Sequence, residues 1–186
     1  MKKTLAAEIK HRENTSISFS QIQKILSTSS LRKNTVMKEL DHLPEHCKDS
    51  DLFGSAQNVC LFCNRYINGR VVASHWVVLM HKKKKHGRNI VEFCDPLGHT
   101  LEQLMHILRP PKMSLIWWKK NRRGKVVSST VRFQNDALSD CGDHAAVRIC
   151  LRKLNNRQYA QFMKHGGLTP DVIVSLMSFL PLMDTD

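Results

Sequence analysis

Two apolar segments separated by a short basic turn constrain the fold of this 186-residue chain more than any other feature. The first, RVVASHWVVLM (70–80), is rich in valine and aromatic residues, and the second, IVEFCD (90–95), is short and apolar. Such compositions favour β-strands, and the intervening HKKKKHGRN (81–89) can reverse the chain. We therefore predict an antiparallel hairpin, in which stagger or curvature of the strands would bring His75 close to Asp95.

Further elements surround this hairpin. NVCLFCNRYI (58–67) is apolar on all sides, which predicts a buried strand or a buried helix. MSLIWW (113–118) and KVVSSTVRFQ (125–134) predict two more strands around a basic turn. Three helices are predicted, over LEQLMHIL (101–108), CGDHAAVRICLRKL (141–154) and LTPDVIVSLMSFLPLM (168–183). Thr100 and Gln103 have the spacing of a capping box, and Arg148 falls on the predicted outer side of its helix.

The segment ISFSQIQKILSTSSLRKNTVMKELDHL (17–43) has helical spacing that is interrupted at STSS, which predicts two short helices. Two interpretations remain open: a pair of amphipathic helices packed on a core, or a DNA-reading helix-turn-helix. The order of helices, strands, helix, strands and helices predicts a single α+β domain.

The charge of the chain predicts an acidic partner. Lys and Arg number 29 against 16 Asp and Glu, a net charge of +13, and such an excess attracts polyanions such as nucleic acid. A solvated basic surface without a partner is the alternative. Two clusters are candidates for phosphate contacts: Lys82, Lys83, Lys84 and Lys85 in one, and Lys119, Lys120, Arg122, Arg123 and Lys125, beside Trp117 and Trp118, in the other.

The six cysteines predict reduced thiols and not a disulfide framework. Their spacing is irregular, and charged residues at 8–12 interrupt the apolar start that a secretory signal would need. No apolar run approaches the ~18 residues of a membrane span. We therefore expect a protein that is neither secreted nor embedded in a membrane.

Cys141 lies at the first turn of a predicted helix, seven residues after Gln134. Unpaired N–H groups and the helix dipole at that position favour a thiolate and can hold an oxyanion. Three interpretations follow: a nucleophile, a buried structural cysteine, or a metal ligand. In the last, Cys60, Cys63, Cys141 and His144 would supply the four ligands of a zinc site.

The segments SHWVVLM, VEFCDPLG and FQNDALSDCG together resemble the adenovirus-type maturation cysteine protease, adenain. Similar proteins occur in virophages and Polinton/Maverick-type elements, and the SUMO-specific proteases are more distant. The family pattern is matched in order by His75-Trp76, Asp95-Pro96-Leu97-Gly98, Gln134 and Cys141-Gly142. The resemblance covers residues 57–155, which would be the catalytic core between helical segments 1–50 and 156–186 of one domain. It implies a central mixed or antiparallel sheet flanked by helices, in a papain-like arrangement.

The resemblance also implies a role for each matched residue. Cys141 would be the nucleophile and His75 the general base, while Asp95 would orient the imidazole and Gln134 would donate to the oxyanion. Asp95 stands where adenain has glutamate, a shorter side chain that is accepted among relatives.

The implied function is cleavage of viral precursor structural proteins during virion maturation, by a monomer inside the virion and the host cell, in the nucleus or a cytoplasmic virus factory. The chemistry requires no metal or other cofactor, whereas we expect DNA to act as a cofactor or track, and an activating peptide is left open. Two alternatives remain: a protease for a ubiquitin-like modifier, and a basic nucleic-acid-binding protein with a structural zinc.

Overall fold

The computed structural model describes residues 5–27, 31–83, 89–165 and 167–183. These residues form eight α-helices: α1 (Leu5–Glu13), α2 (Phe19–Ser27), α3 (Asp49–Phe53), α4 (Leu101–Leu108), α5 (Ser114–Asn121), α6 (Cys141–Cys150), α7 (Asn156–Lys164) and α8 (Pro170–Met183). They also form five strands: β1 (Thr35–Glu39), β2 (Asn58–Ile67), β3 (Arg70–Lys83), β4 (Asn89–Cys94) and β5 (Lys125–Ser128). None of the helices in these ranges has the length and apolarity that crossing a membrane requires.

The five strands form one mixed sheet whose spatial order follows the chain, from β1 to β5. The predicted hairpin is confirmed, because β3 pairs with β4 in an antiparallel register from Val78 opposite Cys94 to Lys83 opposite Asn89. Strands β2 and β3 are also antiparallel, whereas the outer strands β1 and β5 run parallel to β2 and β4. The predicted α+β class is therefore confirmed.

Both faces of the sheet are buried along the first half of β2, the middle of β3 and most of β4, and these stretches are apolar. The first five residues of β3 are exposed. Along β3, Trp76 and Val78 belong to a core shared with α2, α6, α7 and α8. The alternate residues Val77 and Leu79 belong to a second core shared with α3, α4 and α5. The predicted capping box of α4 is confirmed, with the Thr100 side chain accepting from the backbone of the third helical residue.

Four local predictions are wrong. The strand predicted over 125–134 ends at Ser128. The second helix predicted within 17–43 is strand β1, which pairs with β2, so the described residues of that segment form no helix-turn-helix. The predicted strand 113–118 lies in helix α5, which buries Leu115 and Trp118 three residues apart on one side. Arg148 is not on an outer face but is 1% exposed, because the Glu92 carboxylate accepts from its Nη2 at 2.9 Å.

Candidate active site

The side chains of His75 and Asp95 form a buried pair at the end of the central hairpin. The pairing of β3 with β4 ends at Val78 and Cys94. His75 lies three residues before Val78, in the part of β3 that β4 does not cover, and is therefore beside the turn that follows β4. Nε2 of His75 is 2.7 Å from Oδ1 of Asp95, which is fully buried. This leaves Nδ1 as the ring nitrogen that can interact with a thiol. The turn requires glycine at position 98, because the φ of Gly98 is +80° and a Cβ added there would lie 3.0 Å from the backbone nitrogen of Arg132.

The Asp95 carboxylate accepts three hydrogen bonds. Besides His75, the backbone N–H of Leu97 donates to Oδ1 and Nδ1 of His99 lies 2.8 Å from Oδ2. Burial alone would raise the pKa of Asp95, but the hydrogen bond and charge of His75, together with these donors, lower it below its ordinary value. Asp95 is therefore a carboxylate held in a fixed orientation.

Cys141 is the first residue of α6, where the backbone N–H groups of the first turn have no partner within the helix. Burial alone would lower the pKa of His75, but its hydrogen bonds to Asp95 and to the Cys141 thiol raise that pKa to about 10. The imidazole is thus protonated at neutral pH, next to the sulfur. The arrangement therefore places a proton donor beside the sulfur.

Gln134 is brought to the same site by the turn after β4. The backbone N–H groups of Phe133 and Gln134 both donate to the carbonyl of Pro96, at 2.8 and 3.0 Å. The side chain is 5% exposed, and its Nε2 donates to the carbonyl of Leu138 at 2.9 Å. An amide nitrogen carries two hydrogens, so one remains for a second acceptor.

A cleft of about 320 Å³ joins these groups. Its walls include His75, Gln134 and Cys141, while Asp95 lies behind His75. The structure thus brings together all four residues that the resemblance assigned to catalysis. One wall is apolar and is formed by Leu97, Leu104, Ile107 and Leu108.

Sequence reasoning missed His99. This residue lines the cleft, and its side chain is 30% exposed while it hydrogen-bonds to Asp95. The available signal was its position four residues after Asp95, directly behind the Pro96–Gly98 turn. A turn of that length folds its last residue back towards its first.

The remaining cysteine thiols are in a different environment. Burial raises the pKa of Cys47, Cys94 and Cys150 to about 11 in each case. It also raises the pKa of Cys60 and Cys63. These five thiols are therefore protonated at neutral pH.

The alternative zinc set of Cys60, Cys63, Cys141 and His144 does not assemble. Cys60 lies in the core that includes Cys141, whereas Cys63 lies in the core on the opposite face of the sheet. A different group, Asp140, His144 and Asp171, places three donor atoms within 4.8 Å of one another, all buried. Burial and the nearby Asp171 raise the pKa of Asp140 to about 8. A proton on this carboxyl group therefore reduces the negative charge of the cluster at neutral pH.

The basic cluster beside the tryptophans is partly engaged by acidic residues. Trp118 is 1% exposed and donates to Asp49, so it does not offer a face for stacking with a base. Arg122 lies over the Trp118 ring and pairs with the same aspartate, and Lys119 pairs with Glu102. Exposed cations in this cluster are Lys120, Arg123 and Lys125.

In the other predicted cluster, Lys84 and Lys85 lie outside the described residues, and Lys83 is the last residue of β3. Nζ of Lys82 lies 3.6 Å from the Glu92 carboxylate and donates to the carbonyls of Arg152 and Leu154.

The mixed sheet lies between two helical layers, and Cys141 begins a helix that packs on one face of the sheet. No protein-family model and no curated protein sequence matches the chain. Among solved structures, the crystal structure of the ASFV pS273R protease is similar, with a TM-score of 0.50 and 13% identity over 90% of this chain and 68% of that one. Its selenomethionine form gives a TM-score of 0.51 at 12% identity, with the same coverage. This likeness is one of fold, and the predicted relation to adenain in particular stays a prediction.

Proposed function

We propose that this protein is a viral cysteine endopeptidase that cleaves precursor structural proteins during virion maturation. The observation that carries the proposal is the shared cleft, in which the His75–Asp95 pair and Gln134 surround the Cys141 thiol. The ASFV pS273R protease has the same fold, which supports a hydrolytic role for this cleft.

In the proposed reaction, the Cys141 thiolate attacks the carbonyl carbon of the scissile peptide bond. The free amide hydrogen of Gln134 and the backbone N–H of Cys141 stabilise the negative oxygen. The imidazolium of His75 gives its proton to the leaving amine as the C–N bond breaks, which leaves a thioester on Cys141. His75 then takes a proton from water, the hydroxyl group attacks the thioester, and the thiolate is released with the acid product.

Asp95 has an orienting role in this scheme. Its carboxylate holds Nε2 of His75, and the backbone N–H of Leu97 and the ring of His99 hold the carboxylate in turn. The imidazole is therefore fixed with Nδ1 available to the sulfur, and the charge that it carries before cleavage is stabilised.

The test combines labelling with cleavage. We expect a thiol-reactive peptide probe at neutral pH to modify Cys141 ahead of the other cysteines. A peptide library made from a digested proteome serves as substrate, since the cleavage preference is open. Cys141→Ala should lower cleavage by about a thousandfold or more, His75→Ala nearly as much, and Asp95→Asn less.

Cys150→Ala is the matched control, because Cys150 lies at the other end of the same helix. It should retain cleavage. Equal activity of Cys141→Ala and the unmodified protein would refute the proposal. A folded ubiquitin-like modifier with a fluorogenic group at its carboxyl terminus tests the alternative substrate class, and preferential hydrolysis of that reagent would replace the maturation role.

We also propose that the peptidase acts as a monomer inside the virion and the infected cell, and that it binds DNA without sequence preference. The net charge of +13 supports DNA binding.

A further inference from the structure

A second cavity, of about 610 Å³, lies at the far ends of β3 and α6 from the candidate active site. Its lining residues come from four places: the residue before β2, the end of β3, the start of β4, and the segment after α6. They are Gln57, His81, Lys82, Asn89, Arg152 and Lys153, with no carboxylate among them. The proposed peptidase chemistry uses none of these residues.

Positive charge exceeds negative charge around this cavity. Glu92 is the carboxylate next to it, and it lies between Arg148 Nη2 at 2.9 Å and Lys82 Nζ at 3.6 Å. Three cations line the cavity, namely Lys82, Arg152 and Lys153. Glu92 is shared between Lys82 and Arg148, and a second carboxylate, Asp49, acts on His81. Burial lowers the pKa of Lys82, the charge of Glu92 opposes that shift, and the charges of Arg148 and Arg152 add to it.

Arg152 lines the cavity and has spare hydrogen-bonding capacity. One of its Nη atoms donates to the carbonyl of His81 at 3.2 Å, but its Nε is buried and has no partner among the described residues. Burial lowers the pKa of this guanidinium, which records the cost of leaving the charge without a counter-ion. Lys153 beside it is exposed.

We propose that this cavity binds phosphate groups. A phosphate carries the negative charge that the cavity lacks, and its oxygens match the planar fork of a guanidinium and the donors of an ammonium or amide group. The phosphate belongs either to a nucleic-acid backbone or to a free oligophosphate. The site is independent of peptide cleavage, because Arg152 and Lys153 do not line the cleft of Cys141.

The test measures binding of inorganic tripolyphosphate by calorimetry at low salt. Arg152→Gln/Lys153→Gln should weaken binding by about tenfold or more, because two charge-assisted contacts are lost. Lys120→Gln/Arg123→Gln removes the same charge from the exposed cluster on α5 and its following turn, and should change the affinity by less than about twofold. Cleavage of small peptides should be equal in both variants.

Lys153→Gln alone keeps the test interpretable if loss of the Arg152 hydrogen bond unfolds the double variant, because Lys153 is exposed; it should still weaken tripolyphosphate binding. A labelled DNA duplex distinguishes the two sources. If DNA occupies the cavity, the double variant should reduce the slope of log affinity against log salt by about 2. If free oligophosphate does, DNA binding should stay the same while tripolyphosphate binding falls. No tripolyphosphate binding by the unmodified protein, or equal loss in the α5 control, would overturn the proposal.

Discussion

Replacing Gly142 by alanine should destabilise the protein through contacts with the N-terminal segment. The added Cβ would lie 2.5 Å from Cγ1 of Ile17 and 3.2 Å from Cδ1 of Trp76. Carbon atoms in contact normally stay about 3.5–4 Å apart. Ile17 is 5% exposed and packed in the core, so its side chain cannot move aside without a shift of the segment that carries it.

The magnitude follows from two opposing terms. Overpacking of a core site costs about 1–3 kcal/mol, and the better helix propensity of alanine recovers at most about 1 kcal/mol. We expect a net loss of about 1–2 kcal/mol of unfolding free energy, which lowers the melting temperature of a domain this size by roughly 2–8 °C. Urea denaturation gives the free energy directly.

A double-mutant cycle identifies the contact. Ile17→Ala removes the clashing atoms and costs stability through the cavity that it leaves. On that background, Gly142→Ala should be neutral or stabilising, with a coupling free energy of about 1 kcal/mol or more. If Gly142→Ala costs the same on both backgrounds, the close approach of Ile17 is not the cause and the reasoning fails.

Three further outcomes are expected. Arg148→Ala should lower the free energy of unfolding, measured by urea denaturation, by about 3 kcal/mol or more, because Glu92 would lose its closest partner in a buried site. A loss near zero, as is usual for an exposed residue, would contradict the burial of the pair. His99→Ala should lower kcat about three- to tenfold with KM nearly constant, because a donor to Asp95 is lost, whereas a change in KM alone would indicate substrate contact. The raised pKa of Asp140 means that the folded state keeps a proton that the unfolded state loses, so stability should fall as pH rises from about 4 through about 8; Asp140→Asn should flatten this slope, and an unchanged slope would assign it to another group.

The central hairpin was predictable because its information is local. Residues 70–80 and 90–95 are apolar, rich in β-branched residues and separated by a turn, and they pair with each other. Strand β1 was not predictable in the same way, because it depends on parallel pairing with β2. Such pairing leaves no signal in the sequence of residues 35–39 itself. Helix α5 was missed because a segment of six residues, five of them apolar, is too short to separate a period of 3.6 from a period of 2.

The candidate site shows the same division. Cys141, His75, Asp95 and Gln134 could be selected from short motifs, and the fold places them around one cleft. Side-chain partners that are distant from each other in the sequence could not be predicted from such motifs. Arg148 was predicted to be exposed because arginine usually is, and its partner Glu92 is 56 residues away in the sequence.

The distribution of the site over the chain has a consequence for when it assembles. His75 and Asp95 are 20 residues apart and belong to one antiparallel hairpin, so their hydrogen bond closes a short loop. Cys141 comes from a later helix, and Gly142 beside it is packed against Ile17 near the start of the chain. Local contacts form before distant ones in most small domains. A chain still being synthesised can therefore form the His75–Asp95 pair before Cys141 is present, and the proposed cleavage activity would arise only when α6 docks.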